Sequence, residues 1–133
     1  MPNIVFMGQG EPLHNAEEVK RAIEVFINPH GINLGPRQMT LSTAGYLPGI
    51  KKLVDFAPIN IALSLHSPFE EQRTELIPIN KHYPLSDILP ALLELPKKKR
   101  QFLTLEYLLI KDFNMSDLHV ERLSELFSHE EVI

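Results

Sequence analysis

Three times along the chain a short apolar run breaks off into small, polar residues, and a helix-sized segment follows each break. Ile4-Val5-Phe6-Met7 ends in Gly8-Gln9-Gly10-Glu11-Pro12, and Gln38-Met39-Thr40-Leu41 ends in Ser42-Thr43-Ala44-Gly45. Asn60-Ile61-Ala62-Leu63 ends in Ser64-Leu65-His66-Ser67-Pro68. Short apolar runs bounded by turn residues read as buried strands. Strands that alternate with helices predict an α/β fold of parallel βα repeats with right-handed crossovers. A fourth run, from Phe102 to Ile110, reads as a strand that carries Glu106 in an otherwise apolar stretch. A buried carboxylate needs a partner or a role, and the pattern leaves open whether Glu106 faces a barrel interior or a partner.

Between the strands, Asn15 with Glu18 three residues on marks a helix start, and Val19, Ala22, Ile23, Phe26 and Ile27 recur at helical spacing. The spacing predicts a helix over 16–27. Pro48 opens a short helix with Ile50, Leu53 and Val54 on one face. Beyond Pro68, Glu70, Glu71 and Arg73 are expected to face solvent while Leu76 and Ile77 close a short helix, and Pro78-Ile79-Asn80 stops it. A helix over 85–95 buries Ile88, Leu89, Leu92 and Leu93, with Pro90 expected to kink or shorten it. Ser116 caps a last helix whose apolar stripe is Leu118, Leu123, Leu126 and Phe127.

With 133 residues, one domain over 1–133 is expected. An eight-stranded barrel needs roughly 200 residues or more, so four units make either an open sheet or part of a larger barrel. In the second case open strand edges and an apolar inner face favour association with another copy or another segment. The formal net charge of -4 argues against holding nucleic acid by bulk electrostatics and leaves room only for a local basic patch. Lys97-Lys98-Lys99-Arg100 is such a run, but it falls in the connection entering the fourth strand, on the rim opposite the strand tips, where a solvated loop is the simpler reading. Cys 0 rules out disulfides, thiolate metal sites and a catalytic thiol within these residues. No segment reads as a leader or a membrane span, so a cytoplasmic setting is the default expectation.

In a parallel α/β architecture the C-terminal ends of the strands lie along one rim, which would bring Glu11, Ser42, Ser64 and His66 to one cleft. Gly8 and Gly10 let bare backbone approach a ligand, and Glu11 points a carboxylate at the same place, which suits an ammonium group. Taken singly these residues have plainer readings. A glycine turn needs no ligand, Ser42 and Thr43 can satisfy local backbone, and a histidine such as His66 is more often packed than catalytic. No other His, Cys or carboxylate lies at metal-ligand spacing from His66, so a metal held by these side chains is not expected.

Together the motifs carry a resemblance. Phe6-Met7-Gly8-Gln9-Gly10-Glu11-Pro12-Leu13, Leu41-Ser42-Thr43-Ala44-Gly45, Ala62-Leu63-Ser64-Leu65-His66-Ser67-Pro68, Leu76-Ile77-Pro78-Ile79-Asn80-Lys81 and Thr104-Leu105-Glu106-Tyr107-Leu108-Leu109 closely resemble, in order, the radical S-adenosylmethionine methyltransferases that modify adenine C2 in 23S ribosomal RNA and transfer RNA. The resemblance implies a partial (β/α)6 barrel that binds S-adenosylmethionine and a [4Fe-4S] cluster. It implies that Gly10 and Glu11 hold the methionine amino group, and that Ser42, Ser64, Leu65 and His66 make further S-adenosylmethionine contacts.

The family's cluster-binding C-x3-C-x2-C loop lies upstream of the first strand, and its methyl-carrying cysteine lies downstream of the last helix. Neither is in this chain, nor is the family's N-terminal RNA-recruiting region. The resemblance therefore implies the central part of such a catalytic domain, inactive by itself because thiolates ligate the cluster. Two other readings stand beside it. One is a truncated, non-catalytic pseudo-enzyme or interaction module, and the other is a cluster-free (β/α) enzyme acting on a phosphorylated or sugar substrate.

Overall fold

The computed structural model describes residues 2–96, 101 and 103–127. Strands β1 (Ile4–Phe6), β2 (Met39–Thr43), β3 (Asn60–Ser64) and β4 (Leu103–Glu106) form one sheet in the order β1-β2-β3-β4. Every pairing is parallel. The helices are α1 (Ala16–Ile27), α2 (Leu47–Ile50), α3 (Glu70–Leu76), α4 (Leu85–Leu93) and α5 (Asp117–Phe127). The α/β alternation expected from the apolar runs is the architecture found.

Strand alternation sorts side chains into two faces. Met39 and Leu41 of β2, Ile61 and Leu63 of β3 and Leu103 of β4 are buried, and they share one core with Ile23 of α1, Ile50 of α2 and Leu85, Ile88 and Leu89 of α4. Each such aliphatic side chain contributes about 1.5–3 kcal/mol when fully buried. The alternate positions Thr40, Ser42, Asn60, Ser64, Thr104 and Glu106 are only partly buried and lie on the opposite face. Val5 of β1 pairs with Thr40 and is exposed on that same side.

Helix α1 spans the predicted residues, and its start differs in detail. Asn15 occupies the cap position but makes no capping bond. A 3-10 turn over Pro12–Asn15 leads into α1, and Glu11 caps that turn by accepting from the Leu13 amide. Helix α4 ends at Leu93, short of the expected Leu95, with Pro90 inside it. Among the described residues no helix is long and apolar enough to cross a membrane.

Other expectations are overturned. Arg73 does not face solvent, because its guanidinium is fully buried and bonded to Ala44, Ser64 and Asn80. Strand β4 stops at Glu106, since the Leu108 amide donates to His66 Nδ1 and the Ile110 amide to Asn114 Oδ1 instead of continuing a ladder. Leu118 is 60% exposed, and the buried residue of α5 is His119, held by Ser116 and Gln72. Lys97-Lys98-Lys99-Arg100 and the expected strand start at Phe102 lie outside the described residues.

Candidate functional site

On the rim where the strands end, one carboxylate joins two tips. The loop after β1 turns through Gly10 at φ 95, a left-handed conformation open to glycine, and delivers Glu11. Glu11 Oε1 accepts from the Leu13 amide at 3.1 Å, and its Oε2 accepts from the Ala44 amide, just past β2, at 2.7 Å. A carboxylate oxygen has two lone-pair sites, so each Glu11 oxygen keeps one for another donor.

A second carboxylate joins the next three strands. Ser42 Oγ of β2 and Ser64 Oγ of β3 both donate to Glu106 Oε2 of β4, at 2.7 and 3.1 Å. The register explains the arrangement, because Ser64 and Glu106 are paired across adjacent strands on one face. Each hydroxyl proton is thereby committed to Glu106, and each serine oxygen presents lone pairs. Among the described residues Glu106 Oε1 has no hydrogen-bond partner. Gly10, Glu11, Ser42, Ser64 and Glu106 line a single cleft of about 680 Å³ together with Gly8, Gln9 and Ala44. The cleft therefore offers hydrogen-bond acceptors and two carboxylates, a surface complementary to cationic ligands and to hydroxyl donors.

Leu65 and His66 sit beside the cleft without lining it. The Leu65 side chain is fully buried, and its amide donates to the Glu106 carbonyl at 2.9 Å. His66 has φ 58, and its carbonyl accepts from Asn114 Nδ2 at 2.6 Å. Because His66 Nδ1 accepts the Leu108 amide at 3.0 Å, the neutral ring carries its proton on Nε2. Burial holds the His66 pKa below its ordinary value, against the pull of Glu106 and with the help of Arg73. Asn114 is itself buried, receives the Ile110 amide on Oδ1 and donates also to the Leu108 carbonyl, which staples the loop after β4 to the β3 tip.

The sequence shows Glu106 as a carboxylate in an apolar strand but does not place it in the cleft, and it does not single out Asn114. Strand alternation from Thr104 to Glu106, matched to the Ser64 register, is the signal for the first. For Asn114 there was none, since it acts through backbone carbonyls 48 and 6 positions away.

Among the described residues no group of His, Cys, Asp or Glu could hold a metal ion. An iron–sulfur cluster held by thiolates does not fit the residues present, which include no cysteine. S-adenosylmethionine does fit them: its ammonium and sulfonium are cationic, its ribose hydroxyls are donors, and the cleft supplies carboxylates and acceptors.

No family model matches the chain. It is 45% identical over 115 residues to a probable dual-specificity RNA methyltransferase RlmN of Akkermansia muciniphila, an alignment covering 86% of this chain and 32% of the relative. It is 41% identical over 124 residues to the dual-specificity RNA methyltransferase RlmN of Syntrophotalea carbinolica, covering 93% and 33%. The crystal structure of a radical SAM methyltransferase from Sphaerobacter thermophilus superposes with a TM-score of 0.88 at 35% identity, over 98% of this chain and 38% of that one. The fold and these alignments place the chain in the radical S-adenosylmethionine methyltransferase family. Within that family its relatives are the dual-specificity RNA methyltransferases named RlmN, and the chain spans about a third of their length.

Proposed function

We propose that the strand-tip cleft is the S-adenosylmethionine site of an RNA methyltransferase that methylates adenine C2 in 23S ribosomal RNA and transfer RNA by a radical mechanism. The observation that carries this reading is the Glu11 carboxylate held between Leu13 and Ala44, facing the Ser42–Glu106–Ser64 group across one cleft. Glu11 holds the ammonium group with its remaining lone pairs, next to the Gly10 backbone. Ser42, Ser64 and Glu106 accept from hydroxyl donors, while Leu65 and His66 shape the edge of the site. When bound, S-adenosylmethionine supplies the activated carbon group that the reaction transfers.

In this reading residues 1–133 are the central part of the catalytic domain, and the [4Fe-4S] cluster is held by cysteines of the longer protein. The names of the relatives support an RNA substrate, and an RNA substrate supports a cytoplasmic setting. Without cluster ligands the chain alone binds S-adenosylmethionine weakly and transfers no methyl group. Among the described residues no strand pairs with the outer edge of β1, and Val5 and Met7 are exposed beside it, so the chain self-associates through that edge at high concentration.

Calorimetric titration with S-adenosylmethionine tests the site. The expected result is a dissociation constant above about 1 μM for the unmodified chain and at least tenfold weaker binding for Glu11→Ala, with both proteins folded. Submicromolar affinity, or binding unaffected by Glu11→Ala, contradicts the proposal. Methyl transfer by the isolated chain would contradict the assignment of the cluster to other residues. An interaction module with no cofactor site would leave both proteins without measurable binding.

A further inference from the structure

Arg73 has a surrounding unlike that of any other charged side chain here. It is the one Lys, Arg, Asp or Glu among the described residues that is buried, with 0% exposure. Burying a guanidinium is unfavourable unless it is paired and hydrogen-bonded. Glu70, the opposite charge that acts on it, makes no direct ion pair with it. Instead Nη2 donates to two main-chain carbonyls, Ala44 O at 2.8 Å and Ser64 O at 2.9 Å, while Nη1 donates to Asn80 Oδ1 and Nε has no partner. Asn80 is fixed in turn by donating to Glu70 and Thr74.

Those carbonyls are not arbitrary acceptors. The paired register of β2 and β3 ends at Thr43 and Leu63, so Ala44 and Ser64 are the next residues, where the ladder stops. Each belongs to the candidate site. The Ala44 amide is the donor that holds Glu11 Oε2, and the Ser64 hydroxyl donates to Glu106. Arg73 grips both residues from α3 and does not line the cleft. We infer that Arg73 is a positioning residue for the ligand site, setting the separation of the β2 and β3 tips and thereby the aim of Glu11 and Ser64. The inference rests on the reading that these two residues hold the ligand. A lysine cannot replace it, because three acceptors around a planar fork are not matched by one compact ammonium.

The test uses the 133-residue chain, its Arg73→Lys variant and S-adenosylmethionine as the probe. Amide hydrogen exchange should be at least tenfold faster at Ala44 in Arg73→Lys while the ladder amides of Leu41 and Leu63 keep their protection. Affinity for S-adenosylmethionine should fall at least tenfold. Unchanged protection at Ala44 in a folded Arg73→Lys overturns the inference, as does unchanged affinity. If the unmodified chain binds no S-adenosylmethionine, the cofactor reading fails and the exchange measurement alone decides whether Arg73 positions the tips. If Arg73→Lys does not fold, the unmodified chain decides: individually resolved, slowly exchanging Nη protons support the clamp, and a single averaged, fast-exchanging signal overturns it.

Discussion

Gly45 stands where the β2 tip, α4 and Arg73 meet. Its φ of 106 is a conformation that residues with a Cβ rarely adopt, and a Cβ there would run into the Ile88 side chain and stand 3.5 Å from Arg73 Nη2. Backbone strain and overpacking together predict that Gly45→Ala destabilises the fold by about 2–4 kcal/mol. The check is a urea titration, in which the midpoint should fall with little change in slope. A loss under about 0.5 kcal/mol, the size of an ordinary surface change, would contradict this packing. At this scale the sequence was legible where chemistry and position agreed, as at Glu11, and misleading where they conflicted. Arg73 lies four residues, about one helical turn, before buried Ile77, the residue that ends α3. Its charge nonetheless suggested solvent. Helical spacing was the better guide, because backbone carbonyls left over at the strand ends made a polar interior for it.

Among the elements, α1 was legible to the residue because its apolar positions keep one helical period and Asn28 and Pro29 end it. The end of β4 was not, because it is set by His66 and Asn114 taking the next amides, and no local pattern announces bonds from distant side chains. The junction of α3 and α4 shows the same rule. Glu70, expected in solvent, accepts from the Leu85 and Ser86 amides at 3.0 and 2.9 Å and so caps α4 from a separate element. Burial pushes the Glu70 carboxyl up, but the Asn80 side chain, those two amides and the Arg73 charge outweigh it and hold the pKa below its ordinary value. The sign follows from linkage. A lowered carboxyl contributes stability that is fully present above the ordinary glutamate pKa and is lost as pH falls through the lowered one. Glu70→Ala is therefore expected to destabilise the chain by about 1 kcal/mol near neutral pH, the usual size of a lost cap, and by less as acid is added. Urea titrations of both proteins from neutral to strongly acid pH check this. A difference that grows with acid would contradict the cap.

For the molecule as a whole, the central asymmetry is a sheet whose one face is covered by helices while the other carries a polar stripe and an exposed β1 edge. Alternating apolar runs made the parallel sheet readable, and strand tips made the cleft readable except at His66, which lies beside it and not in its lining. The sequence could not reveal that both serine hydroxyls are turned toward Glu106, since that depends on the register of three strands. The uncovered edge predicts concentration-dependent association. Sedimentation should detect dimers or larger species at millimolar concentration, reduced in a Val5→Lys, Met7→Lys variant because edge lysines oppose strand pairing. Equal association of the two proteins would place the contact elsewhere. The function of the cleft turns, however, on where the ligand goes. An NMR titration with S-adenosylmethionine, read residue by residue on the amides, tests this most directly. The predicted result is a set of shifts centred on Gly10, Glu11, Ala44, Ser64 and Glu106, weakened about tenfold in affinity by Glu106→Gln. Shifts gathered instead in the groove between Phe69, Gln72 and Leu118, or none at any concentration, would contradict it.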